Sequence, residues 1–210
     1  MEPEGGVADA AVIWLHGLGA NGRDFLPIIP HLELPTGHRV RFVFPNAPLR
    51  SVTANGGWPM PAWYDIPEFS FPRHIDPYEL EEADGTLMAV LHRELERGIG
   101  PSRVVVAGFS QGGAVALHAG LQSPVPLAGI LALSCYLPLE PATWRTDVPV
   151  LLLHGQTDAM VPLAEAKATL STLHINDVPV RWRSWPMGHE VIPEEAQMIG
   201  AWLQERLPPL

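Results

Sequence analysis

The residues with the clearest chemical potential are Gly108-Phe109-Ser110-Gln111-Gly112, in the pattern G-x-S-x-G. They follow a short apolar run, 103–107, and precede a run of small residues, 113–117, so the serine falls between a predicted strand and a predicted helix. A sharp strand-to-helix turn of this kind holds a serine in a strained backbone conformation with its Oγ exposed. Glycine suits the flanking positions because a Cβ there would collide with neighbouring backbone. Ser110 is therefore the predicted nucleophile.

A serine hydroxyl is a poor nucleophile without a base, and two further residues have the types and positions to activate it. Imidazole takes up a proton in the useful pH range, and a carboxylate bound to its second nitrogen fixes the tautomer that acts as base. His189 follows the predicted strand 179–185, and Asp158 follows the predicted strand 149–154. Because both come after strand ends, as Ser110 does, the sequence predicts that these three residues form a catalytic triad.

Other histidines and acidic residues compete for these two roles. His154 also lies at a strand end, but its position favours a packing or hydrogen-bonding role. Asp147 and Asp177 precede strands and so fall at the opposite edge of the sheet, while Asp65 suits a structural hydrogen bond. Glu190 adjoins the predicted base but is expected to point elsewhere.

Acyl transfer also needs hydrogen-bond donors aimed at the oxygen that becomes negatively charged in the tetrahedral intermediate. The backbone N–H of Gln111, directly after the nucleophile, is one predicted donor. The turn 16–19, His-Gly-Leu-Gly, follows the first predicted strand, and its glycines let a backbone N–H turn inward. Leu18 is the predicted second donor. The alternative is that these glycines only make a tight turn.

The elements that must position these groups alternate between short apolar runs and longer helical patterns. Most of the runs are continuously apolar, as expected for parallel strands buried on both faces. The pattern predicts an α/β fold with a mostly parallel central sheet and helices on both faces. No repeat or linker divides the chain, so 1–210 is expected to be a single domain with 1–9 as a flexible N-terminal tail. Strands are predicted at 11–15, 40–44, 103–107, 129–133, 149–154 and 179–185, and helices at 24–32, 77–97, 111–122, 163–174 and 194–207.

Composition and charge argue against several classes of protein. The chain has 210 residues, 47% of them hydrophobic, and a formal net charge of −10 at pH 7, which disfavours nucleic acid and anionic membrane surfaces as partners. The single Cys135 cannot form an internal disulfide, and the first apolar run, 10–15, is too short for a signal sequence or a membrane span. No His, Asp or Glu cluster has metal-ligand spacing. A cytoplasmic enzyme without integral membrane association is expected.

Substrate selection is expected to come from an aromatic segment and from leucines at neighbouring strand ends. Residues 58–77 are rich in Trp, Met, Tyr, Phe and Pro, and an apolar loop over the site would bind an acyl chain and exclude water. The alternative is that these rings cover the sheet edge as ordinary core. If part of the segment is exposed, a homodimer would cover it. The predicted substrate-binding residues are Leu18, Trp58, Met60, Trp63 and Leu137.

As a set, these motifs resemble the phospholipase/carboxylesterase family of α/β-hydrolases, which includes small bacterial carboxylesterases and acyl-protein thioesterases. The chain order Ser110, Asp158, His189 is that of α/β-hydrolases. The resemblance implies a single-domain α/β-hydrolase fold and a cofactor-free hydrolase of carboxylic esters, with these three residues as triad and Leu18 and Gln111 as backbone oxyanion donors. It covers almost the whole chain, through segments 12–19, 41–48, 56–66, 107–113, 133–138, 154–158 and 188–189.

Two substrate classes fit this machinery. The first expectation is a serine carboxylesterase that hydrolyses short-to-medium acyl esters of small molecules or lipids through an acyl-enzyme on Ser110. The alternative is an acyl-protein thioesterase or lysophospholipase that acts on long-chain acyl groups. A serine peptidase of this fold usually carries an extra gating domain, for which 210 residues leave no room. A binding protein of this fold commonly loses a triad member, and all three are present here.

Overall fold

The central element of the computed structural model is a six-stranded sheet, and the structure describes residues 1–3, 6–35 and 37–210. Its strands are β1 (Ala10–Leu15), β2 (Val40–Val43), β5 (Val104–Phe109), β6 (Gly129–Leu133), β7 (Val150–Gly155) and β8 (Val180–Trp185). Their order in the sheet is β2-β1-β5-β6-β7-β8, and every neighbouring pair runs parallel. The carboxyl ends of these strands therefore share one edge, where the predicted catalytic residues lie.

The described residues form four α-helices: α1 (Pro77–Glu96), α2 (Gln111–Leu121) and α3 (Leu163–Ile175) lie between strands, and α4 (Pro193–Arg206) follows β8. Proline occupies the first helical position of α1 and α4, where its missing N–H costs no intrahelical hydrogen bond. Asp76 caps α1, because its carboxylate accepts a hydrogen bond from the Tyr78 backbone N–H at 2.9 Å. Among the described residues, no helix is both long enough and apolar enough to cross a membrane.

The helices cover both faces of the sheet, as the sequence predicts. Side chains alternate between faces along a strand, and β1 shows this directly. Ala11, Ile13 and Leu15 belong to the core beneath α1, α2 and α3, whereas Ala10, Val12 and Trp14 belong to the core beneath α4. All six residues of β1 are buried, and all are apolar because both faces of the strand pack against helices. The predicted α/β architecture is confirmed.

Two predicted segments take a different form. The segment predicted as a helix over 24–32 is a 3₁₀ helix, Leu26–Leu32, with Pro30 inside it, where proline has no backbone donor for an α-helical hydrogen bond. The start of the aromatic segment 58–77 is a strand rather than a loop. It forms β4 (Trp58–Pro61), which pairs antiparallel with β3 (Leu49–Val52) in a separate two-stranded ribbon. Prolines within β4 hid this strand, since proline is tolerated only where no ladder donor is needed.

The N-terminal segment makes specific contacts where the sequence suggested a flexible tail. The Met1 amino group donates to the Phe42 carbonyl at 2.6 Å, and the Phe42 N–H donates back to the Met1 carbonyl at 3.0 Å. Asp9 forms ion pairs with Arg39 and Arg103, at 2.7 and 2.6 Å. Residues 4 and 5, the middle of the expected tail, lie outside the described residues. Both described ends of the segment are therefore held against the sheet.

Glu195, in the first turn of α4, is a buried carboxylate whose two oxygens have no hydrogen-bond partner among the described residues. Burial raises the pKa of Glu195 to about 8, and the nearby Ile192 backbone N–H lowers it only in part. Since the folded-state pKa lies above the unfolded one, the folded protein holds this proton more tightly. The stability that Glu195 contributes is therefore complete below about pH 4.5 and is lost as the pH rises toward about 8.

Replacing Glu195 with glutamine is expected to remove this pH dependence, because the amide carries no charge to desolvate. At pH 8 the variant should gain about 2 kcal/mol, or a rise in Tm of about 4–8 °C for a chain of this size. At pH 5 the two proteins should melt within about 2 °C of each other. Thermal denaturation at both pH values tests this, with Glu194→Gln as the control because Glu194 is exposed in the same turn. An equal Tm for Glu195→Gln and the wild type at pH 8 would contradict the expectation.

Candidate active site

Ser110 occupies the turn between β5 and α2 in the strained conformation that its sequence predicts. Its φ of 55° and ψ of −120° are unusual for a residue with a side chain, and such strain persists only where the surroundings enforce it. A Cβ on Gly108 would overlap the Gly112 carbonyl, and a Cβ on Gly112 would overlap the carbonyls of β1 and His16. These close approaches explain both glycines and hold the turn sharp enough to present the serine.

His189 and Asp158 form the hydrogen-bonded pair expected of a base and its orienting acid. Nδ1 of His189 lies 2.7 Å from Oδ2 of Asp158. The other carboxylate oxygen, Oδ1, accepts the backbone N–H groups of Met160 and Val161, each at 2.8 Å. Since the carboxylate accepts at both oxygens, the His189 ring carries its proton on Nδ1, which leaves Nε2 free to act as a base.

The environment of Asp158 keeps it ionised. Burial by itself would raise the pKa of this carboxyl, but the hydrogen bonds from His189 and from the Val161 N–H outweigh that effect and lower it. His154, the competing histidine, is buried, and its Nε2 lies 2.8 Å from the Val161 carbonyl. Its desolvation lowers the pKa of His154. His154 is therefore a buried hydrogen-bonding residue, one of the two roles that its position favours.

The other competing acids lie where the sequence suggested. Asp65 accepts from the backbone N–H of Thr53 at 2.7 Å, a structural hydrogen bond. Glu190 accepts from the Gly188 N–H at 3.4 Å and makes no contact of this kind with His189, although it lines the same cavity. Within the described residues no hydrogen bond joins Ser110 Oγ to the His189 ring, and such contacts in unliganded sites commonly tighten only when substrate binds.

The turn after β1 fixes the orientation of the peptide that joins Gly17 and Leu18. Nδ1–H of His16 donates to the Gly17 carbonyl at 2.7 Å, and its Nε2 accepts the Ala47 N–H at 3.0 Å. The peptide that follows Gly17 is trans, so its carbonyl and the N–H of Leu18 point in opposite directions. With the carbonyl held by His16, the Leu18 N–H is turned away from that ring. Gln111 is the first residue of α2, where the N–H has no intrahelical acceptor.

One large cavity joins these groups. Its volume is about 640 Å³, within the range of pockets that bury small ligands, and Ser110, Gln111 and His189 line it together. Its charged and polar lining consists of Asp24, His31, Arg73 and Glu190. The rest of the wall is apolar: Gly17, Leu18, Ala20, Phe25, Pro27, Ile28, Ile66, Phe69, Phe109, Met160, Val161, Val191, Ile192, Pro193 and Ala196. The site therefore offers a hydrophobic compartment directly beside the serine.

Of the five predicted substrate-binding residues, Leu18 alone lines this cavity, and the structure corrects the other four. Trp58 is 72% exposed on β4, because its strand forms the outer ribbon. Met60 is half-buried on the same strand, and Trp63 is buried behind the oxyanion turn. Leu137 is half-buried in a separate depression, where its N–H donates to Oγ1 of Thr169 at 2.8 Å. The aromatic segment reaches the cavity through Ile66 and Phe69 instead.

Sequence reasoning missed the opposite wall of the cavity. Phe25 directly precedes the 3₁₀ helix after β1 and Ile28 lies in it, while Ile192 directly precedes α4 and Ala196 lies in its first turn. Phe109, the residue directly before Ser110, packs against the His189 ring with centroids 4.7 Å apart. These residues could have been found from their positions in the sequence. Residues 190–196 directly follow the predicted base, and residues 20–28 directly follow the turn 16–19 that carries the predicted donor Leu18.

The parallel sheet in this strand order, with a strained serine between β5 and α2, defines the α/β-hydrolase class of enzymes. The phospholipase/carboxylesterase family model matches residues 2–207. Acyl-protein thioesterase 1 of Gibberella zeae is 34% identical over 95% of this chain and 92% of its own length. The chain therefore belongs to the phospholipase/carboxylesterase family, and it is a hydrolase that acts on esters or thioesters.

Solved structures of similar proteins agree with this assignment. SOBER1 of Arabidopsis thaliana aligns with a TM-score of 0.88 at 32% identity, over 94% of this chain and 99% of its own. Acyl-protein thioesterase 2 of Zea mays aligns with a TM-score of 0.82 at 26% identity, over 99% of this chain and 97% of its own. The similarity extends over essentially the whole fold in each case, which confirms the predicted single-domain α/β-hydrolase architecture.

Proposed function

We propose that this protein is a serine hydrolase of the acyl-protein thioesterase type, which removes medium-to-long acyl chains from thioesters and esters. The observation that carries the proposal is the apolar cavity of about 640 Å³ beside Ser110, which is larger than a short acyl group needs. The names of the relatives, acyl-protein thioesterases of Gibberella zeae and Zea mays, support the same substrate class. A lipid-linked acyl ester would present the same acyl group to this cavity.

In the first half of the reaction, Nε2 of His189 takes the proton from Ser110 Oγ as that oxygen attacks the acyl carbonyl. The carbonyl oxygen becomes an oxyanion, which accepts hydrogen bonds from the N–H groups of Leu18 and Gln111. Asp158 stabilises the imidazolium through its 2.7 Å contact with Nδ1. When the tetrahedral intermediate collapses, the bond to the leaving sulfur or oxygen breaks, and His189 gives its proton to the leaving group.

In the second half, a water molecule replaces the leaving group. His189 takes a proton from this water, whose oxygen attacks the acyl-serine carbonyl, and the oxyanion forms again in the same position. Collapse of the second intermediate breaks the bond between the acyl carbon and Ser110 Oγ, and His189 returns the proton to the serine. The products are the free carboxylic acid and the unchanged enzyme, so the chemistry balances with the residues and water alone.

Arg73 joins the cavity wall formed by the aromatic segment to the loop that follows Asp158. Its guanidinium lies 4.2 Å from the centroid of the Phe71 ring and donates to the Met160 carbonyl at 3.1 Å. Phe69, on the same segment as Arg73, lines one side of the cavity, and Met160, two residues after Asp158, lines another. The side chain of Arg73 therefore joins these two sides. The compartment is thus formed before substrate binds, which lowers the entropy cost of binding an acyl chain.

The specificity constant is expected to rise with acyl-chain length until the cavity is full. Burying one methylene is worth about 0.8 kcal/mol, so kcat/KM should increase by up to about four-fold per added methylene. Rates on p-nitrophenyl esters from acetyl to palmitoyl measure this, and S-acyl-N-acetylcysteamine thioesters of the same chains test the leaving group. The proposal would be supported if the protein hydrolyses both the esters and the thioesters and if kcat/KM keeps rising for acyl chains longer than butyryl.

The second candidate function is a carboxylesterase of short-to-medium acyl esters, which the description of the family and the same triad support. It predicts a peak at acetyl to butyryl esters and little activity on thioesters of long chains. That profile would overturn the thioesterase proposal while leaving the serine hydrolase mechanism in place. Ser110→Ala in both substrate series separates enzymatic turnover from spontaneous hydrolysis.

A further inference from the structure

We propose that Trp63 is a positioning residue that sets the separation between the two oxyanion donors, the backbone N–H groups of Leu18 and Gln111. The proposal rests on the serine hydrolase mechanism given above. Trp63 is 1% exposed and lies outside the substrate cavity, so it touches neither the acyl chain nor the reacting atoms. Its effect would be exerted entirely through the two turns that carry the donors.

The first link runs from Trp63 to the turn after β1. The indole Nε1–H donates to the His16 carbonyl at 2.8 Å, and the indole and imidazole rings have centroids 5.3 Å apart. His16 in turn holds the Gly17 carbonyl through Nδ1–H. Because Gly17 and Leu18 share one planar peptide, the position of His16 fixes the direction of the Leu18 N–H.

The second link runs from Trp63 to the turn that carries the nucleophile. The backbone N–H of Trp63 donates to Oε1 of Gln111 at 2.9 Å, and Nε2 of Gln111 donates to the Tyr64 carbonyl at 2.7 Å. Gln111 is 2% exposed, so both ends of its amide are satisfied inside the protein. The side chain of Gln111 is thus anchored on 63–64, and its backbone N–H is the second oxyanion donor.

One residue therefore contacts the carriers of both donors, which come from segments more than ninety residues apart in the chain. We call the hydrogen-bonded set His16, Trp63, Tyr64 and Gln111 the frame. All four residues are buried, and in the protein interior a hydrogen bond is stronger than in water and the loss of a partner is costly. An oxyanion hole works because its donors are held in place before charge develops. A connection between the two donors has a direct catalytic value, since a shift of about 1 Å can cost about 100-fold in rate.

The test is Trp63→Phe, which removes the indole N–H and keeps an aromatic ring in the core. We expect kcat to fall by about 10- to 100-fold while KM stays within about two-fold, because the lost interaction acts on the transition state. An alkyl trifluoromethyl ketone of matched chain length, which adds to the serine and places an oxyanion in the hole, should lose affinity by the same factor. A nonhydrolysable alkyl amide should bind with unchanged affinity.

Trp14→Phe is the matched control, because Trp14 is fully buried on β1 and its indole N–H has no hydrogen-bond partner in the part of the chain that the structure describes. It should leave kcat within about two-fold of the wild type. Gln111→Met, which keeps the backbone N–H but removes both amide hydrogen bonds, should reproduce the kcat and ketone effects of Trp63→Phe. This second variant keeps the proposal testable if Trp63→Phe fails to fold.

Two outcomes would overturn the proposal: an unchanged kcat in both variants, or a lower kcat with unchanged affinity for the ketone. Failure of the proposed function looks different. If the wild-type protein and Ser110→Ala hydrolyse every ester and thioester equally slowly, the serine mechanism itself is wrong. If Ser110→Ala is inactive and both frame variants match the wild type, the mechanism stands and the positioning role of Trp63 is wrong.

Discussion

Ser110→Ala is expected to lower kcat on both esters and thioesters by about 10⁴- to 10⁶-fold, the largest effect of any single substitution in this protein. The variant has no oxygen to form an acyl-enzyme, so the two-step route is closed. The residual rate should be the small contribution of the oxyanion donors and of substrate binding. Steady-state kinetics on the preferred acyl chain measures the loss, and mass spectrometry of the wild-type protein with a slow substrate should show the acyl group on Ser110.

The fold of Ser110→Ala should be intact, because the conformation of the turn is enforced by the glycines around it. Its Tm should stay within a few degrees of the wild type, because alanine keeps the Cβ and so leaves the backbone strain unchanged. Ser134→Ala is the matched control, since Ser134 follows the neighbouring strand β6 and is buried with an unpartnered hydroxyl. Hydrolysis by Ser110→Ala within ten-fold of the wild-type rate would disprove the assignment of the nucleophile.

Asp158→Asn is expected to lower kcat by about 10⁴-fold without a change in the position of the side chain. In the wild type, Oδ1 accepts two backbone N–H groups, from Met160 and Val161. The amide of asparagine must therefore turn its oxygen toward those donors and its NH₂ toward His189. A donor facing Nδ1 forces that nitrogen to be the unprotonated one, which places the ring proton on Nε2. The base is then protonated on the atom that should accept the proton from Ser110.

Rates of the Asp158→Asn variant on the preferred substrate give the magnitude, and ¹⁵N chemical shifts of the His189 ring report the tautomer. The control is Asp147→Asn, because Asp147 precedes β7, the strand that Asp158 follows, and pairs with Arg145 at the opposite edge of the sheet. The control should retain full activity. An Asp158→Asn protein with its ring proton still on Nδ1 and a near-normal kcat would show that Asp158 does not orient the base.

The elements and the order of the catalytic groups could be predicted from the sequence, because their signals are local. Strands such as β5 and β6 are buried on both faces, so they appear as short continuous apolar runs that periodicity detects. The turn at Ser110 needs glycines within two residues of it, which makes its motif compact. The pairing of His189 with Asp158 followed from a topological rule, since parallel strands bring their carboxyl ends to one edge.

The walls of the cavity could not be predicted in this way. Residues 58–63 are as aromatic as 66–71, yet the first group forms the outer ribbon and the back of the oxyanion turn, and part of the second lines the cavity. Which group faces the substrate depends on how the ribbon is joined to α1, where Arg50 of β3 pairs with Glu79 and Glu82, contacts that cross about thirty residues. Apolar residues at 25–28 and 191–196 carried no local pattern that set them apart from core.

The sequence by itself determined the chemistry of this protein: a serine on a strained turn, a histidine, a carboxylate, and the parallel sheet that gathers them. The turn at the serine depends on backbone geometry within a few residues, and the positions of the histidine and the carboxylate depend on strand ends. Turns and strands both leave a recognisable pattern in the sequence. The tertiary structure alone decided the shape of the acyl compartment and the position of Trp63 behind the oxyanion donors. Those features arise from residues that meet across long stretches of chain, 47 residues from His16 to Trp63 and 87 from Arg73 to Met160, where no local spacing constrains the contact.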